Sequence, residues 1–155
     1  MKINFLNDYS SVGHRKVLEK LISAEEEVNT AYGFDLHTKR ASNLIKKQME
    51  YDECDIYYLP GGTAVNKLVI SSFLKSYEAV ICAVTGHINV HETGAIEAGG
   101  HKVLAAKSRD GKLTITAIQE VLNMHTDCHM VKPKMIYISN TTELGGVYTR
   151  SELVE

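Results

Sequence analysis

Two short stretches of the chain hold residue types that can do chemistry together. The first is Leu59-Pro60-Gly61-Gly62-Thr63-Ala64-Val65-Asn66-Lys67, between an apolar run and a helical pattern. Gly61 and Gly62 admit backbone angles that other residues resist, and they let a ligand approach the main chain closely. A helix opening there offers unpaired N–H groups and a partial positive charge, with the Thr63 hydroxyl expected at the capping position. That combination cradles a phosphate without a basic side chain. It is not a Walker A loop, because no glycine precedes Lys67 and no serine or threonine follows it, and it is not GxGxxG. A tight turn with a threonine cap is the alternative reading of the same residues.

The second stretch is Thr85-Gly86-His87-Ile88-Asn89-Val90-His91-Glu92-Thr93-Gly94. It follows an apolar strand, at the carboxyl end where open α/β sheets carry their sites. His87 and His91 are four apart and share a helix face, with Glu92 beside them. Imidazoles at that spacing can chelate zinc, but HxxxHE puts the carboxylate in the wrong place for the HExxH metalloprotease arrangement. A third group, His125-Thr126-Asp127-Cys128-His129, sets thiol and imidazole together in a polar connection and reads as a surface loop. No metal is expected at any of these.

The elements that must position these groups follow from period and punctuation. Helices are expected over His14–Val28 and Thr38–Met49. Strand and helix then alternate: strand Cys54–Leu59, helix Thr63–Leu74, strand Ala79–Val84, helical stretch Asn89–Ala98, strand His101–Ala106, helix Thr114–Met124 and strand Met135–Ser139. Runs such as AVICAV and MIYIS are apolar on both faces, as in a parallel sheet covered by helices on each side. The fold class is α/β, three-layer αβα with a mostly parallel sheet. An N-terminal helical segment over 1–50 precedes the domain proper over 51–155.

Composition sets the outer bounds. A chain of 155 residues with 44% hydrophobic content and mean hydropathy −0.15 can form a core of its own. A net charge of −2 supplies no electrostatic case for nucleic acid or an acidic membrane surface. Lys46-Lys47 and Lys132-Pro133-Lys134 are expected as solvated surface. No signal peptide or membrane-length apolar segment is legible. The three cysteines, Cys54, Cys82 and Cys128, form no CxxC pair, which favours a reducing, cytoplasmic setting. At the far end Gly145-Gly146-Val147-Tyr148 reads as a turn, and Thr149 or Ser151 caps a helix that has only begun, so the chain reads as cut.

In chain order, Asn7-Asp8-Tyr9-Ser10, Ala31-Tyr32-Gly33-Phe34-Asp35, Pro60 to Asn66, Gly86-His87-Ile88 with His91-Glu92, and Ile138-Ser139-Asn140-Thr141-Thr142 form one pattern. It resembles the low-specificity threonine aldolases, pyridoxal-phosphate enzymes of the aspartate-aminotransferase-like fold within the β-eliminating lyase group. The resemblance covers nearly the whole chain. It implies that Gly61, Gly62 and Thr63 hold the cofactor phosphate and that His87 stacks on the pyridine ring. Glu92 is implied as a proton-relay partner, and Asp8, Tyr32 and Asn140 in the substrate region. The reaction implied is cleavage of a β-hydroxy-α-amino acid such as threonine to glycine and an aldehyde, by a homodimer or homotetramer. The alternatives are a β-eliminating lyase acting on another amino acid, or a non-catalytic remnant.

The chain departs from the family pattern in two respects. Many members carry a second histidine where this chain has Thr142, which makes His91 a substitute base. The Schiff-base lysine and the aspartate that pairs with the pyridinium nitrogen are not matched here, and Lys67, Lys107 and Lys134 do not fit the lysine's position. The expectation is that this chain alone is inactive.

Overall fold

The computed structural model describes residue 7 and residues 9–154, and the chain divides into two compact units, Met1–Tyr57 and Tyr58–Glu155. The first unit holds helix α1 (Arg15–Ser23) and helix α2 (Leu36–Met49). Asp35 caps α2, accepting from Thr38 N at 2.7 Å and Thr38 Oγ1 at 2.6 Å, and these bonds hold its carboxyl below the usual aspartate range. The His14–Val28 helix is thus shorter than expected, stopping at Ser23. Neither helix buries a residue.

The expected strand Cys54–Leu59 is not formed: among the described residues this stretch has no ladder partner, and an extended run becomes a strand only when a neighbour pairs with it. Helix α3 (Gly62–Phe73) follows, then strand β1 (Glu78–Ala83), the single turn α4 (His87–Val90), a 3₁₀ turn (Glu97–Gly99) and strand β2 (Lys102–Ala106). Helix α5 (Ile115–Met124), strand β3 (Lys132–Ile136) and helix α6 (Arg150–Val154) complete the second unit. The expected helical stretch Asn89–Ala98 is broken because Thr93 (φ 54°) and Gly94 (φ 73°) leave the right-handed region.

The three strands form one sheet in the order β2-β1-β3, and both pairings are parallel. β3 starts earlier than expected. Pro133 lies opposite Ala79, and the register slips between Ala79 and Val80, so the residue without an N–H sits at an irregularity of the ladder. Side chains of β1 alternate between two cores. Ala79, Ile81 and Ala83 pack with Leu104, Ala106, Leu113, Ala117 and Val121 on the α5 side. Val80 and Cys82 pack with Ile70, Leu74, Ile88 and Ile96 on the α3 and α4 side. Both faces of the central strand are therefore covered, which gives a three-layer α/β arrangement with a parallel sheet.

The strand order creates the place for a site. After β1 the chain goes to one neighbour, β2, and after β2 it crosses back to the other, β3. The segments leaving the carboxyl ends of β1 and β3 thus emerge side by side on the same edge.

Candidate functional site

His87 is placed by a turn that only glycine can make. Gly86 N donates to Ala83 O at 2.7 Å, and a Cβ on Gly86 would sit 2.9 Å from that oxygen and 3.1 Å from Cys82 Cβ. The chain therefore reverses immediately after β1, and the half-exposed His87 imidazole stands over the sheet's carboxyl edge. Ile88 beneath it is buried in the α3-side core, which anchors the turn.

Two carboxyl groups face opposite nitrogens of that ring. Glu92 Oε1 is 3.9 Å from Nε2, and Glu143 Oε1 is 3.6 Å from Nδ1. The Glu92 side chain has no solvent exposure and takes a 2.7 Å hydrogen bond from Asn66 Nδ2 on α3. Glu143 accepts from Ser139 Oγ at 2.8 Å. The second oxygen of each carboxyl group is buried without a partner. Between Asn66 and Ser139 lies the Tyr137 phenol, within hydrogen-bonding reach of both; burial raises its pKa, and those two bonds oppose the rise. The His91 ring lies 5.4 Å from the His87 ring at a 51° tilt.

The phosphate-cradle residues open the same helix that carries Asn66. Gly61 is the N-cap of α3, at φ 140° and ψ 166°, and no side chain caps the helix. This corrects the expectation for Thr63, which lies inside the first turn. Gly61, Gly62 and Thr63 are exposed, and a Cβ on either glycine would meet nothing within 4 Å. The first turn thus opens without a side-chain cap, one helical turn from Asn66 and its bond to Glu92. An uncapped, glycine-started helix N-terminus of this kind suits a phosphate group.

Other expected residues sit differently. Asp8 lies outside the described residues. Tyr32 belongs to the first unit, where it is exposed with φ 62°. Asn140 Oδ1 accepts from Tyr148 N at 3.2 Å, so its carboxamide ties down the loop after β3. Thr142 is buried, donates to Asp110 O at 3.0 Å and accepts from Gly146 N at 2.9 Å. Asp127, Cys128 and His129 do come together, with Cys128 Sγ 3.5 Å and Asp127 Oδ1 2.9 Å from His129 Nδ1, and all three are exposed. A cavity of about 620 Å³ in the first unit is lined in part by Val17, Leu21 and His37. Sequence reasoning assigned no role to Asn66, Tyr137, Ser139 or Glu143. The available signal was Tyr137-x-Ser139, whose spacing of two puts both on one side of the extension of β3.

Comparison with known proteins shows the family. The family model for β-eliminating lyases matches residues 4–155. A low-specificity L-threonine aldolase of Pseudomonas sp. (strain NCIMB 10558) is 38% identical over 151 residues, covering 94% of this chain and 43% of that protein. One from Pseudomonas aeruginosa is 38% identical over 125 residues, covering 79% of this chain and 36% of the relative. The solved structure of a Leishmania major threonine aldolase superposes with a TM-score of 0.92 at 44% identity, over 96% of this chain and 44% of that one. The chain spans less than half the length of each of these relatives.

Proposed function

The chain belongs to the β-eliminating lyase family, and from that premise we propose that it carries the phosphate-holding and ring-stacking part of a pyridoxal-phosphate-dependent threonine aldolase. The observation that carries this reading is the histidine held between two carboxyl groups, joined through Asn66 to an open, glycine-started helix. In this reading Gly61, Gly62 and Thr63 receive the phosphate through their backbone N–H groups and the Thr63 hydroxyl. His87 presents its ring face to the pyridine. Bound there, pyridoxal phosphate supplies the electron sink that makes cleavage beside an amino-bearing carbon possible.

The chain's own residues then orient the substrate and handle protons. Glu92, enclosed and fixed by Asn66, is the proton-relay partner on the Nε2 side of His87. His91 stands close enough to His87 to join that relay. The substrate class is β-hydroxy-α-amino acids, with threonine or allo-threonine giving glycine and acetaldehyde. Turnover belongs to a protein of the relatives' full length, working in the cytoplasm as a homodimer or homotetramer. No helix among the described residues is long and apolar enough to cross a membrane.

Two measurements test the reading. Pyridoxamine 5′-phosphate, which lacks the aldehyde that labels stray lysines, should bind the chain and shift the amide signals of Gly61, Gly62 and Thr63. Inorganic phosphate should compete with it, and Gly61→Val should abolish the effect. In a full-length protein carrying this segment, threonine should give acetaldehyde. Pyruvate and ammonia from serine or tyrosine, with no acetaldehyde from threonine, would reassign it to another β-elimination.

A further inference from the structure

We propose that Glu143 is a positioning residue of this site: with Glu92 it clamps the His87 imidazole from opposite nitrogens and sets the plane of the ring. An imidazole touched at one nitrogen still swings about its side-chain torsions, and the partner of one nitrogen decides the protonation of the other. Here both nitrogens are faced, Nδ1 by Glu143 Oε1 at 3.6 Å and Nε2 by Glu92 Oε1 at 3.9 Å. The inference rests on the reading that the face of His87 meets the ligand, because a ring that stacks must be held in one plane.

Glu143 is itself held. Ser139 donates to its Oε1, and the residue before it, Thr142, is locked by Asp110 O, Gly146 N and its own N–H bond to Gly146 O at 2.8 Å. The Glu143 side chain is 14% exposed, its Oε1 lies 3.6 Å from His87 Nδ1, and its other oxygen is buried and unpartnered. Ser139, Tyr137 and Asn66 then link Glu143 back to Glu92, closing a circuit of polar side chains around the histidine. Thr142 is buried and turned to Asp110 O and Gly146 N. Its neighbour Glu143 supplies the second polar group at the His87 ring.

The test uses the 155-residue chain with ¹⁵N-labelled histidine, reading the two ring nitrogens of His87 by NMR without ligand. Glu143→Gln should shift the His87 tautomer ratio from Nδ1–H towards Nε2–H at least threefold, and Glu92→Gln should shift it the opposite way. A purely structural role would shift the tautomer ratio in the same direction in both variants, and that pattern, or an unchanged ratio in Glu143→Gln, overturns the proposal. If Glu143→Gln loses the folded amide fingerprint, Ser139→Ala carries the test. Removing the donor that aims Glu143 should reproduce the shift away from Nδ1–H, and an unchanged ratio there overturns the clamp. The ligand-free readout also separates the two ideas: if pyridoxamine 5′-phosphate leaves the Gly61–Thr63 amides unmoved, the cofactor reading fails while the clamp stands or falls on the tautomer ratio alone.

Discussion

Glu92 illustrates how much one enclosed side chain demands. Its carboxyl group is out of solvent, and among the described residues it accepts one hydrogen bond, from Asn66. Leaving a buried polar group without its partner costs about 1–3 kcal/mol. Asn66→Ala should therefore destabilise the chain by an amount in that range in urea unfolding. A loss within error of zero would mean that the Asn66–Glu92 bond does not stabilise the fold. Cys82 shows the other effect of burial. Its thiol is pushed up to about 12, first by desolvation and then by the charges of Glu143 and Glu97. The thiolate is the reactive form, so Cys82 should resist a disulfide reagent in the folded chain and react on unfolding, while exposed Cys128 reacts at once. Rapid labelling of Cys82 at neutral pH would contradict its placement in the core.

At the scale of elements, the loop after β3 is buttressed against the loop before α5. Gly111 has φ 84°, and a Cβ there would lie 2.8 Å from Thr142 Cβ. Gly111→Ala combines backbone strain with overpacking, so it should cost roughly 2–4 kcal/mol. Thr142→His should destabilise comparably by forcing an imidazole into the same contact, and thermal unfolding of the two variants checks both. Tyr148 joins the same region, its hydroxyl accepting from Leu113 N at 2.6 Å. Helix α6 is pinned by a reciprocal cap, in which Thr149 N donates to Glu152 Oε2 at 2.6 Å and Glu152 N donates to Thr149 Oγ1 at 3.3 Å. Lys112 Nζ adds a 2.8 Å bond to Glu152 Oε1. The Lys112 bond, then those from Thr149, lower the Glu152 carboxyl from 4.5 to about 2. A lowered folded-state value means stabilisation that is present above 4.5 and is lost as pH falls towards 2. A carboxyl ¹³C titration should place the Glu152 midpoint near 2 and find it returned towards its ordinary range in Lys112→Ala.

At the scale of the whole molecule, the chain leaves a large amount of apolar surface uncovered. In the first unit Val17, Leu21, Ile22, Leu44 and Met49 are all more than half exposed. In the second, Ile136 and Leu153 are more than half exposed, and among the described residues β3 is an edge strand with one side of its ladder open. Apolar surface removed from water is worth about 25 cal/mol per Å², and large patches seek partners. Sedimentation velocity should therefore show species heavier than 17.2 kDa growing with concentration. A single monomeric boundary at every concentration would mean that these faces do not associate on their own.

Local patterns in the sequence determined the parts of this protein that local physics governs. The both-face apolar run of β1 specified a buried parallel strand, whereas the run Met135–Ser139 is part exposed where β3 forms the sheet's edge among the described residues. The helical period of α5 was legible because it depends on neighbours a few residues away. Gly61-Gly62 and Gly86-His87 marked the site's edge for the same reason, since backbone freedom is a property of the residue itself. What needed the tertiary structure was every feature made by distant partners. Cys54–Leu59 reads as a strand but lacks a paired neighbour, and the helical period over Asn89–Ala98 yields to the positive φ of Thr93 and Gly94. Glu143 looks like a loop residue until the β2-β1-β3 order brings the end of β3 beside the end of β1. Its approach to His87 spans a crossover of more than fifty residues, and no local period records a contact made that way.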